Sequence, residues 1–246
     1  MKTFLKVAAA AAAMVALQAN ALTGPIDSFG NPAQTATDLT TGNGGVWATE
    51  VCNATILLGG CRDIYAQKNG VASDDGINDT DPNGLGVSGR AGGGRFAFSE
   101  ADGQFGFAIL RYDGAGTQTS GGPNFANKIA DLTDLGAQLN FTYRSDADFQ
   151  IGITVWDTSG NTVSLTENAV DTNLAFVNGF VSFAGLSGSP LFDPTNIGAI
   201  EIKFNLTDVT AVDLAFTAPI PAPEPGSLAL AGLALLGLAA ARRRKA

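Results

Sequence analysis

Four carboxylates, Asp74, Asp75, Asp79 and Asp81, fall within the stretch Ser73 to Asn83, together with Asn78 and Asn83. Hard oxygen donors at this density suit Ca2+, which takes six to eight oxygens at about 2.3 to 2.6 Å. An EF-hand is not what they spell, since the closing Glu is missing and the Gly is misplaced. Asp and Asn are also ordinary turn formers, so a solvated acidic turn competes with calcium and is the better supported reading. Ca2+ is the one cofactor the sequence suggests, and nothing in the sequence requires a cofactor.

The two cysteines, Cys52 and Cys61, are the only ones in the chain. In an exported protein an isolated pair closing a short loop reads as a disulfide, worth roughly 2 to 3 kcal/mol by loop entropy; two free buried thiols are the alternative. Trp47, Tyr65, Tyr112, Tyr143 and Trp156 could build a platform on which sugar rings stack, although aromatic side chains of β-sandwiches more often belong to the core. The chain has no histidine. A Ser-His-Asp or Cys-His centre and a His-ligated metal are therefore excluded. Paired carboxylates of the glycosidase kind carry little information where acidic residues are this common, and no catalytic residue is assigned.

These groups need a scaffold, and the composition favours strands. Of 246 residues 45% are hydrophobic, and Phe (15), Gly (31) and Pro (10) punctuate short apolar runs. Alternation with period two marks Phe105, Phe107 and Ile109; Leu139, Phe141 and Tyr143; Phe149, Ile151, Ile153 and Val155; and Ile200, Ile202, Phe204 and Leu206. Val212, Leu214 and Phe216 follow, and Asp157-Thr-Ser-Gly-Asn161 and Gly188-Ser-Pro190 supply turns. Eight to ten strands without intervening helices predict an all-β protein, an antiparallel β-sandwich of jelly-roll type. Residues 22 to 94, poor in apolar runs, are expected to form a loop-rich first third lying over it as a lid.

Both ends of the chain differ from this middle. Lys2 and Lys6, an apolar run from Val7 to Leu17 and Ala19-Asn20-Ala21 compose a secretory signal, residues 1–21, cut by signal peptidase before Leu22. At the other end a Pro-rich linker from Pro219 leads to Pro223-Glu224-Pro225, an apolar stretch from Leu228 to Ala241, and Arg242, Arg243, Arg244 and Lys245. As a helix, residues 228–241 would span about 21 Å, a marginal membrane anchor, which the basic cluster would hold on the cytoplasmic side. A single sandwich domain is thus expected over residues 22–218. From Leu22 to Ala222 eight Lys and Arg stand against 22 Asp and Glu, a net charge of −14. Such a domain repels nucleic acid, which is excluded as a partner.

Pro223-Glu224-Pro225, the short apolar helix and the terminal basic cluster, in that order, resemble the PEP-CTERM sorting signal. The resemblance implies export by a Gram-negative bacterium that makes extracellular polysaccharide. It implies transient anchoring in the inner membrane and cleavage by an exosortase near Pro223, with release to the outer surface or matrix. Residues 132–216, through LTDLGAQLNFTYRSD, TSGN, FDPTNIGAIEIKF and AVDLAF, resemble the back half of galactose-binding-like jelly-roll domains. Together these imply a non-enzymatic surface or matrix protein that interacts with extracellular polysaccharide. A polysaccharide hydrolase using two carboxylates and a purely structural matrix component are the alternatives.

Overall fold

The computed structural model describes residues 26–30, 32–40, 44–53, 57–71, 86–116, 122–132, 135, 138–217 and 220–222. The signal segment, Asp74, Asp75, Asp79 and Asp81, the sorting residues Pro223, Glu224 and Pro225, residues 228–241 and the basic cluster 242–245 lie outside the described residues. Among those described, no helix is long and apolar enough to cross a membrane.

In chain order the strands are β1 (Gln34–Asp38), β2 (Val46–Trp47), β3 (Val51–Cys52), β4 (Cys61–Val71), β5 (Val87–Gly92), β6 (Arg95–Glu100) and β7 (Gln104–Tyr112). There follow β8 (Gln138–Ser145), β9 (Phe149–Asp157), β10 (Thr162–Ala169), β11 (Val177–Ser182), β12 (Ser187–Gly188), β13 (Ile197–Phe204), β14 (Asp213–Thr217) and β15 (Ile220–Ala222). They form two antiparallel sheets. One runs β1-β5-β6-β14-β8-β11 with β15 also on β8; the other runs β12-β10-β9-β13-β7-β4-β2 with β3 on β4. The chain changes sheet between β1 and β2, β4 and β5, β6 and β7, β7 and β8, β8 and β9, β10 and β11, β11 and β12, and β13 and β14. This repeated crossing is what makes the sandwich jelly-roll-like.

The core is what the alternating strands turn inward. Phe96, Phe98, Leu214 and Phe216 of the first sheet face Leu110, Ile153, Ile202 and Phe204 of the second, all buried. Phe96 stacks on Phe204 with ring centroids 4.8 Å apart. In β13 Ile200, Ile202 and Phe204 of the alternating set are buried, whereas Leu206 lies beyond the strand and is exposed. In β7 the alternating set lies on the outer face. Ala108, Leu110 and Tyr112 join the core, whereas Phe105, Phe107 and Ile109 face outward. Alternation fixes which residues share a face but not which face is interior, and in β7 the larger aromatics take the outer one.

The first third is built into the sandwich rather than laid over it. β4 pairs with β7 from Asp63↔Arg111 to Val71↔Gln104, and β1 pairs along β5. Its strand character escapes the hydrophobic pattern because Arg62, Asp63 and Lys68 are buried polar residues. Arg62 bonds to Asp27 through Nη1 (2.8 Å to Oδ2), to Gln34 Oε1 through Nε (3.0 Å) and to the Pro32 carbonyl through Nη2 (3.1 Å). The Tyr112 hydroxyl donates to Asp27 Oδ2 at 2.9 Å. Burial, and then the Asp27 charge, raise the Tyr112 pKa well above that of a free phenol. Cys52 and Cys61, directly opposite across β3 and β4, are joined by a disulfide. β15 carries the sheet to Ala222, so residues 220–222, read from sequence as linker, pair with β8.

The connection from β13 to β14 is held from below by Glu100. Its Oε1 accepts from the Gly106 amide and from Asn205 Nδ2, both at 2.9 Å, and its Oε2 accepts from the Val212 amide at 3.1 Å. Asn205, Asp208 and Ala211 in this connection all have positive φ, so its backbone depends on such external bonds. Burial raises the Glu100 pKa to about 7, with the nearby Asp208 charge adding to the shift and the three donors opposing it.

Two outcomes are expected. Asp27→Ala leaves the Arg62 guanidinium buried without its anion and should cost about 3 to 5 kcal/mol in urea unfolding; a loss under 1 kcal/mol would refute the role assigned to the pair. For Glu100, the unfolded carboxyl loses its proton near 4.5 and the folded one near 7. Its contribution to stability should therefore fall as pH rises through that window and stay level above it. Glu100→Gln should remove that component of the slope in melts taken from pH 4 to 8.

Candidate functional site

The five aromatic residues singled out in the sequence go to different places. Tyr112 is in the core. Trp156 is half-buried on β9, out of phase with the inward residues Ile153 and Val155. Trp47 and Tyr65 meet on the outer face of the second sheet, ring centroids 4.8 Å apart, and Tyr65 continues to Phe107 at 5.8 Å. That row is already covered by cations. The Arg111 guanidinium sits 4.5 Å from the Trp47 ring and the Lys203 ammonium 3.7 Å from the Phe107 ring, while Arg111 is also ion-paired with Glu201 at 2.8 Å. A sugar ring would have to displace these partners.

Tyr143 belongs to a more open place. Where the edge strand β11 faces β10 across the sandwich, a groove of about 240 Å³ opens. Its inner wall is Phe141, Tyr143, Ile151 and Val181; its polar lining is Glu167, Asn168 and Asn178; and Phe180 stands at its lip, 62% exposed. Behind it lies a cavity of about 30 Å³ lined only by apolar and aromatic side chains, which shares Phe141, Tyr143, Ile151 and Val181 with the groove.

Local sequence accounts for this geometry. β11 reads Val-Asn-Gly-Phe-Val-Ser, and in a strand Gly179 and Val181 fall on one side, Asn178 and Phe180 on the other. Val181 is buried, so Phe180 must point out. A Cβ on Gly179 would come within 2.7 Å of the Phe141 ring and 3.0 Å of Tyr143. Glycine is thus required for β11 to approach the rings of β8 that wall the groove. Phe176, also exposed, is the next outward aromatic, just before β11. Neither Phe176 nor Phe180 is marked as a site by the sequence, because a phenylalanine beside valines reads as core.

Chemically, the groove offers the Glu167 carboxylate beside apolar and aromatic carbon, while strand phase sets the Asn178 amide and the Phe180 ring on the outer side of its lip and the Asn168 amide on the outer face of β10. This is a donor and acceptor set for hydroxyl groups beside a hydrophobic ring face, in a recess the size of a small ligand or one sugar unit. Among the described residues Glu167 is the only carboxylate in its lining. Asn168 Oδ1 accepts from Gln150 Nε2 at 3.2 Å, which orients that amide. Among the described residues one group of three candidate metal-ligand atoms occurs, Glu50 with Cys52 and Cys61, and the disulfide takes both sulfurs.

Comparison with known proteins places one part of the chain. Residues 221–245 match the PEP-CTERM protein-sorting motif. That motif marks the chain for export and exosortase processing. No curated protein matches the chain. Solved structures that it resembles include a family 29 carbohydrate-binding module, at 10% identity and TM-score 0.33, covering 58% of this chain and 77% of that one. Another is the agarase AgWH50C, at 13% identity and TM-score 0.35, covering 52% of this chain and 22% of the agarase. The bacteriophage CBA120 tailspike protein 4 gives 14% identity and TM-score 0.31, covering 64% of this chain and 17% of that one.

Proposed function

We propose that this is an exosortase-processed surface or extracellular-matrix protein whose sandwich binds extracellular polysaccharide, without catalysis, along β11. The observation that carries the reading is Phe180, an exposed ring at the lip of a groove that also presents Glu167, Asn168 and Asn178. Exposing an aromatic side chain of this size on an edge strand forgoes burial worth about 1.5 to 3 kcal/mol and invites edge pairing. A ligand that covers the ring recovers that energy. Sugar rings present apolar C–H faces and equatorial hydroxyls, which match an aromatic face flanked by amides and a carboxylate. A hydrolase acting through two carboxylates would need a second one across the groove, and among the described residues the lining holds Glu167 alone.

Export and retention follow from the tail. Signal peptidase would release the amino terminus after Ala21, the apolar stretch 228–241 would hold the chain transiently in the membrane, and exosortase would cut near Pro223. To this reading we add weak Ca2+ binding by the acidic stretch Asp74, Asp75, Asp79 and Asp81.

Two measurements test it. On a glycan array the wild-type chain should bind a defined set of polysaccharides, and Phe180→Ala should weaken that binding about tenfold while moving the Tm by no more than about 2 °C, since the ring is 62% exposed. Unchanged binding by the variant would move the site elsewhere. Replacing Pro223, Glu224 and Pro225 by Ala should leave export intact and trap uncleaved protein in the membrane fraction; release as efficient as wild type would refute exosortase processing.

A further inference from the structure

The domain that carries a net charge of −14 has eight basic residues, and they are not spread evenly. Arg62 and Arg111 are ion-paired, and Lys203 lies on Phe107. Arg90, Arg95 and Arg144 share the outer face of the first sheet. The register sets their positions. Arg90 of β5 is opposite Ala97 of β6, Ala97 is opposite Ala215 of β14, and Ala215 is opposite Arg144 of β8, so two arginines bracket two alanines in one cross-strand row. At about 4.8 Å per strand, the row spans some 14 Å between the two arginine backbones. Arg95 lies on the same face, two residues along β6 from Ala97 and opposite Thr217.

Arg95 and Arg144 converge on one exposed ring. The Phe176 centroid is 4.7 Å from the Arg95 guanidinium carbon and 5.4 Å from that of Arg144, so the two cations stand no more than about 10 Å apart. Among the described residues none of the three arginines forms an ion pair. The carboxylates at the border of this face are otherwise engaged. Asp213 accepts from the Ser99 hydroxyl, and Asp146 accepts from the Asp213 amide at 2.7 Å. None of the domain's described acidic side chains pairs with these three arginines, which share one face across small residues. Such a patch is complementary to an anion supplied from outside, and guanidinium forks match carboxylate and sulfate oxygens in pairs.

The same face continues into the proposed glycan surface, because Asn178 and Phe180 of β11 are opposite Thr142 and Asn140 of β8. We infer that the ligand of this surface is an acidic polysaccharide, with its carboxylate or sulfate groups held by Arg90, Arg95 and Arg144, the last two positioned on the Phe176 ring, and a sugar face on Phe180. This rests on the glycan reading above and narrows it from polysaccharide in general to a polyanionic one. The strongly negative remainder of the domain repels such a chain and confines contact to this one face, which gives orientation as well as affinity.

The test uses the full-length chain in mild detergent, titrated with polygalacturonate, dextran sulfate and neutral dextran at 50 and 300 mM salt, and with anionic lipid vesicles as a separate arm. Expected are binding to one or both acidic polymers at least tenfold tighter than to dextran, and weakening by high salt. Arg95→Gln with Arg144→Gln should cost at least tenfold for the acidic polymer and leave residual dextran binding and the Tm unchanged. Preference for polygalacturonate assigns carboxylate as the recognised group, and preference for dextran sulfate assigns sulfate. Equal binding of dextran, unaffected by the arginine substitutions but weakened by Phe180→Ala, would overturn the acidic specificity while leaving the glycan reading intact. Binding to no polysaccharide would overturn both. Vesicle binding tighter than that of either polymer would assign the face to a membrane surface and overturn the proposal.

Discussion

The buried pair of Asp27 and Arg62 is the constraint on which the sandwich turns. A guanidinium at 1% exposure is tolerable only with its donors satisfied, and Arg62 meets that condition with groups from separate parts of the chain: Asp27, Gln34 of β1 and the Pro32 carbonyl. Gln34 returns the contact by donating to the Thr49 and Arg62 carbonyls. β1 is the edge of one sheet and β4 lies near the edge of the other. The network therefore closes that side of the sandwich, with Tyr112 of β7 joined to it through Asp27. An apolar seam could slide in register, whereas a network with this many directional partners fixes which strands face each other.

The opposite side is built differently. There β11 ends its sheet and β10 is covered by the end strand β12 only at Val163 and Ser164; no comparable polar clamp joins them among the described residues, and the gap between β11 and β10 is the groove. Closure at one side and opening at the other follow from where the polar groups are spent. The first sheet can present a flat outer face up to its last strand because its register is secured five strands away. The inner wall of the groove is continuous with the core through Phe141, which packs against Phe216 at 6.0 Å. The recess is thus held by rigid packing rather than by loops, which is what a preorganised binding surface requires.

Much of this arrangement was legible from residue order, and the illegible parts share a cause. β8, β9, β13 and β14 announce themselves by alternation, and the cysteine spacing announces its disulfide. β4 does not, because Arg62, Asp63 and Lys68 break the pattern, and their burial makes sense only once partners distant in sequence are in place. The face of β7 is ambiguous for a related reason. Phe107 on the outside is sheltered by Tyr65 and Lys203, neither of which a local window contains. Phe180 could have been found. Val177, Gly179 and Val181 form one phase of β11, and a strand that presents valine and glycine inward must present its phenylalanine outward. The arginine row could not, since it depends on a register across four strands joined in the order β5-β6-β14-β8.

The sorting tail and the proposed binding face meet on one strand. Pro221, the first residue of the matched sorting segment, is opposite Leu139 of β8, and Leu139 is opposite Val181 of β11 on its other side. Two strand spacings put the start of that segment about 10 Å from the backbone of β11. The sandwich therefore does not hang from the tail on a long tether; its last strand runs directly into the motif. Residues 223–225 follow directly on the short β15, which pairs with β8 at the end of the sheet where Gln138, Asn140 and Ser182 lie. Arg144 sits toward the other end of β8, opposite Ala215 of β14 and next to Tyr143, whereas Pro221 is opposite Leu139.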